Sequence, residues 1–154
     1  MAEEKSQASS SKMLTLKASD GVLFEVELNI AKEMKTVQAY IDDCEDIETI
    51  PIPNVLGKHL AIVIEYIKKT NEEYDAEFEK QWNMDDLQLL LLAANYLNIS
   101  GLQECLCKAI AKRIENKSPE YVRKVFNIEN DHSPEEEAKL RKEYKWAFEG
   151  VDKD

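Results

Sequence analysis

Glycine is scarce in this chain, and the four present, Gly21, Gly57, Gly101 and Gly150, are scattered. That excludes a glycine-rich phosphate loop, which needs several of them within a few residues. Histidine is scarcer, with only His59 and His132, at no metal-ligand spacing. Three cysteines occur, Cys44, Cys105 and Cys107, all in predicted helices. Cys105 and Cys107 lack the two-residue spacer of a zinc or redox pair, and two residues apart on a helix they face different ways. Buried thiols in a reducing compartment are the expectation. A cysteine nucleophile would need His59 or His132 as its base by tertiary coincidence alone. Positive charge is also short: 20 Lys and Arg stand against 31 Asp and Glu, a net charge of -11. Nucleic-acid binding calls for the reverse balance, so no nucleic-acid partner is expected. No apolar run reaches the roughly 20 residues of a membrane span. The N-terminal MAEEKSQASSSK has no apolar core of a signal peptide and reads as a disordered tail over residues 1–12.

What the chain does have is one very apolar stretch, LQLLLLAANYLNI from Leu87 to Ile99. A helix there would be apolar on every side until Asn95 and Tyr96, which predicts burial at the centre of a domain. Before it, Met13 to Lys17 and Val22 to Leu28 alternate in polarity around Asp20-Gly21, predicting a hairpin with a tight primed turn. Asn29 can cap a short helix over Ile30–Met34, and Thr36 another carrying Val37, Tyr40 and Ile41. Ile50 and Ile52 predict an edge strand among prolines. Asn54 can start a longer helix ending near Lys69. Residues 71–83 read as a charged linker. The buried helix follows from Met84 or Asp85, then one after Ser100 with Leu102, Leu106, Ile110 and Ile114 in a stripe. Strands first and helices after predict an α+β fold, mostly helical.

The last third repeats one signal. Ser118-Pro119-Glu120 and Ser133-Pro134-Glu135 each pair a capping serine with proline at the first helical position. Glu136 completes a capping box with Ser133. Glu135, Glu136 and Glu137 then form a solvated first turn favoured by the helix dipole, not a catalytic acid–base pair. The two helices carry Phe126, Ile128, Tyr144 and Trp146, more apolar surface than terminal helices need. Packing on the core accounts for it equally well. Asn95-Tyr96, at the polar end of the apolar helix, fits an interface anchor or a satisfied structural pair. These patterns point to an interaction protein rather than an enzyme.

Four stretches carry a family resemblance: SDGVLFEVE at 19–27, IPIPNV at 50–55, LLAANYLNISGL at 91–102 and SPEYVRKVFNIENDHSPEEEAKLRKEYKWAFE at 118–149. Together they resemble the S-phase-kinase-associated adaptors of cullin–RING (SCF) ubiquitin ligases, and the Trp-Ala-Phe-Glu ending is similar to plant members. The resemblance implies a BTB/POZ fold, a small three-stranded sheet plus helices, with two extra C-terminal helices. In the residue ranges it implies, 13–70 and 84–116 form the BTB/POZ part and 117–149 the helices that bind an F-box. It implies a non-catalytic adaptor without cofactor or metal, whose partners are a cullin and F-box proteins, acting in nucleus and cytoplasm. By position, Asn95 and Tyr96 match the cullin-contacting pair. Cys107, Ile110, Ile114, Pro119, Val122, Phe126, Ile128, Asn130 and Trp146 match the F-box groove.

The chain departs from that pattern in places. The acidic loop near 70–75 is short, Tyr74 replaces a tryptophan before Asp75, and one residue is added near Trp82. Gln88 stands for an aromatic and Gln103 for an aliphatic residue, which bears on partner range more than on fold. The competing expectation is a self-associating BTB-type module without the cullin bridge, with weak homodimerisation of the free chain.

Overall fold

Alternation of apolar and polar side chains sets the first two strands, β1 (Met13–Ala18) and β2 (Leu23–Glu27), with Leu14, Leu16, Ala18 and Val26 buried. They pair antiparallel, Leu16 opposite Phe24 and Leu14 opposite Val26. The computed structural model describes residues 12–44, 46–69 and 76–152. The hairpin is as expected, but four residues, 19–22, join its strands rather than the two of a tight primed turn. Gly21 takes φ +84°, open to glycine at no steric cost. β3 (Thr49–Ile52) lies parallel to β1 at the edge of the sheet, in the order β2-β1-β3. Ile50 and Ile52 point into the core, and Pro51 is tolerated because an edge strand has one unpaired side.

Two short helices follow the hairpin, α1 (Leu28–Glu33) and α2 (Lys35–Asp43). Thr36 does not cap α2. It lies in the first turn, and its hydroxyl donates to the Tyr96 carbonyl at 2.6 Å. The next helix, α3 (Gly57–Lys69), starts three residues later than Asn54 would place it. Its cap is tertiary: both Asp20 carboxylate oxygens accept from the Gly57 N–H at 3.1 Å. A Cβ at Gly57 would come within 2.9 Å of Val22 Cβ, so the turn can approach only a glycine.

Of the predicted tail and linker, residues 1–11 and 71–75 lie outside the described residues. The described end of the linker carries Phe78, fully buried with its ring 5.1 Å from Tyr66 and 5.8 Å from Trp82. Asn83 then caps α4 (Met84–Leu97) by accepting from the Asp86 N–H at 2.8 Å. Leu87, Leu90, Ala93, Ala94 and Leu97 are buried, but Leu89 is 46% and Leu92 65% exposed. The expectation of burial on all sides is corrected. Helices α2 and α3 pack on one side of α4 and α5 (Ser100–Ile114) on another, leaving a strip uncovered among the described residues.

The terminal helices are α6 (Pro119–Phe126) and α7 (Pro134–Glu143), then a 3-10 turn, Lys145–Phe148. Ser118 and Ser133 cap them, the latter in a complete capping box. Neither helix has a fully buried residue. Polar contacts join them: Arg123 to Glu137 at 3.4 Å, Arg141 to Glu120, and the Asn130 amide to Glu137 at 3.3 Å. The last helix is shorter than its pattern suggests, so Trp146 sits on the 3-10 turn.

Candidate protein-docking site

Helices α4 and α5 are joined by only two residues, Asn98 and Ile99, so α5 runs back along α4. Asn98 permits the reversal by taking the left-handed φ +55°, which a short polar residue tolerates. Antiparallel packing makes two polar positions into markers for the two ends of the pair. At the joint, the Gln103 amide donates to Asn95 Oδ1 at 3.1 Å. At the far end, the Gln88 amide donates to the Val125 carbonyl of α6 at 3.2 Å. Seven residues of α4 separate them, about 10 Å at 1.5 Å per residue. Sequence alone leaves these partners unknown, although a glutamine within an apolar run was the available signal.

At the joint end, Asn95 is exposed and Tyr96 half-buried against the core, with its carbonyl held by Thr36. The sequence-predicted pair is therefore placed at one helix end, the amide outward. At the other end the predicted groove residues form a graded surface. Ile110 is buried in the core, and Ile114, Pro119, Val122 and Phe126 are half-buried. Cys107, Asn130 and Ile128 are exposed, and Trp146 is 73% exposed. Phe126 packs on the core, which makes it a hinge between core and arm rather than a free anchor. The cysteine expectation is corrected in part: Cys105 is buried, while Cys44 and Cys107 are exposed.

Two described groups near the helix pair and the arm are held off their ordinary pKa by local structure. Burial, aided by Lys58, lowers the pKa of His59 on α3 against the opposing pull of Asp86 at the start of α4. The Ser133 backbone and hydroxyl hold the Glu136 carboxyl below its ordinary range. Among the described residues no cluster of His, Cys, Asp and Glu could hold a metal ion, and no helix is long and apolar enough to cross a membrane.

Residues 12–72 match the family model "Skp1 family, tetramerisation domain", and residues 100–147 match "Skp1 family, dimerisation domain". The chain belongs to the Skp1 family. SKP1-like protein 14 of Arabidopsis thaliana is 47% identical to it, over 91% of this chain and 99% of the relative. SKP1-like protein 4 of the same plant is 46% identical over 92% and 99%. SKP1-like protein 1 of Oryza sativa subsp. japonica is 43% identical over 90% and 96%. The plant-like resemblance is thus shown, and with it the BTB/POZ fold of a Skp1-family chain, mostly helical with a small three-stranded sheet.

Proposed function

We propose that this Skp1-family chain is a non-catalytic bridge in an SCF ubiquitin ligase, holding a cullin at Asn95 and Tyr96 and an F-box protein along α5, α6 and the 3-10 turn. Family membership supports an adaptor role in general. The observation that carries the bridging reading is that both surfaces belong to one packed helix pair. Gln103 holds Asn95 at one end of it, and Gln88 holds α6 at the other. Rigid elements spaced about two helical turns apart keep two partners in fixed relation, which is how a scaffold presents a substrate without chemistry of its own. The large exposed side chains Ile128 and Trp146 supply the apolar anchors that such docking needs. Action in nucleus and cytoplasm is part of the same proposal.

The double substitution Asn95→Lys with Tyr96→Lys tests it. Charges forced into an interface without partners cost several kcal/mol, so cullin co-purification should be lost while F-box binding persists. Undiminished cullin binding by the folded double mutant would reject the assignment. Self-association is the second reading, favoured by the dimerisation and tetramerisation named in the matching family descriptions. A homodimer purified without cullin or F-box protein would favour that reading instead.

A further inference from the structure

After the 3-10 turn the chain doubles back to the turn that follows α5. Asn116 there has φ +58°, and its side-chain amide donates to the Gly150 carbonyl at 2.8 Å and to Asp152 Oδ1 at 3.3 Å. The Asp152 N–H donates in turn to the Asn116 carbonyl at 2.8 Å. Lys117 forms a single parallel β-bridge with Asp152, and its ammonium lies 3.6 Å from the Asp152 carboxylate. Gly150 takes φ +74°, a left-handed turn that aims its carbonyl at Asn116. One asparagine thus binds the returning strand through both its side chain and its backbone.

These contacts close a loop that contains all of α6, α7 and the 3-10 turn. Those elements have no fully buried residue of their own. Without the contacts at 150–152, the loop would be fixed to the core at its α5 end, through Phe126, and through Gln88. Tying both ends of a segment removes much of the freedom it would have as a tethered arm.

We propose that Gly150–Asp152 is a latch: clasped to Asn116 and Lys117, it closes the two terminal helices into one clip and holds Trp146 outward for its partner. The identity of that partner rests on the F-box reading above; the closure itself does not. Opening the latch frees the arm at its C-terminal end, so partner binding must then order it afresh.

Amide exchange tests the latch, comparing the whole chain with Asn116→Gly and with a chain ended after Glu149. Glycine keeps the left-handed backbone at 116 and removes only the amide, so folding is preserved. Loss of the two amide hydrogen bonds in Asn116→Gly, and of all three in the shortened chain, each of modest net worth, should speed exchange in α6, α7 and the 3-10 turn about fivefold or more in both variants, with α4 and α5 unchanged. Unchanged exchange in both variants would overturn the latch. Binding of an F-box protein is then measured on the same chains. Weaker binding by both variants supports the coupling to Trp146, whereas equal affinity despite faster exchange overturns it. If even the wild type binds no F-box protein, the reading above fails, and the exchange result still decides the latch.

Discussion

The exposure of Trp146 separates its proposed docking role from the stability of the fold. Its indole is 73% exposed, so folding gains little from it. Truncating an aromatic anchor at an interface commonly costs about 2 kcal/mol or more, which at about 1.4 kcal/mol per decade is at least tenfold in affinity. Trp146→Ala should therefore weaken F-box binding at least tenfold in a titration, leaving Tm and cullin binding nearly unchanged. Unfolding of the variant would show the indole to be core. His59 behaves in the opposite way. It is buried, its Nε2 has no hydrogen-bond partner, and Asp86 Oδ1 stands 3.9 Å away. Burial, with Lys58, holds its pKa below 6.5. The unfolded chain then takes up the proton first, so stability is full above about pH 6.5 and falls as pH drops through the lower folded value. Denaturation measured between pH 7 and 5 should show that fall in the wild type and a smaller one in His59→Leu.

At the scale of the element, α4 has two kinds of leucine that composition cannot tell apart. Leu90 is fully buried and Leu92 is 65% exposed, although both sit in the same apolar run. Leu90→Ala should cost about 2–5 kcal/mol by leaving a cavity. Leu92→Ala should cost less than about 0.5 kcal/mol, as a surface change does. Chemical denaturation of the two variants checks the orientation of the helix, and equal losses would place Leu92 inside. The terminal helices depend more on their caps than on packing. Removing the Ser133 hydroxyl should cost α7 about 1 kcal/mol, seen as faster amide exchange over Pro134–Glu143. Because Glu136 has a lowered pKa, its half of the capping box is present above the ordinary glutamate range. It should be lost only as pH falls through that lower value.

For the whole molecule, the contrast lies between a packed body and a polar-fastened arm. Sheet and helices α1 to α5 share one core of fully buried side chains, among them Leu16, Ile50, Leu60, Leu87 and Leu102. The arm is joined to the body by Gln88, by Phe126 and by the contacts of Asn116 with Gly150 and Asp152, while ion pairs such as Arg123–Glu137, worth little each, hold its own two helices together. Amides from Ser118 to Glu149 should accordingly exchange much faster than those of α4 and α5 in the free protein, and slow markedly when an F-box protein is added. Strong protection of the arm in the free chain would contradict this. The net charge of -11 favours partners with complementary basic surface and should make association slower as salt rises.

Short-range chemistry by itself determined the elements. The alternation in Met13–Ala18, the Ser-Pro caps of α6 and α7 and the apolar stripe of α5 act within a few residues, so each can be read along the chain. The family-bearing stretches carried the proposed docking positions in the same one-dimensional form. Only the tertiary structure decided what depends on residues far apart. Asp20 caps α3 across 37 residues, so the true helix start was invisible beside Asn54. Thr36 was taken from a capping role by the Tyr96 carbonyl. Leu89 and Leu92 stayed outside because no element among the described residues covers that strip of α4. The Asn116–Asp152 clasp joins chain positions whose pairing no local pattern encodes. Hydrogen bonds and burial of this kind are set by which surfaces meet, and periodicity carries no record of that.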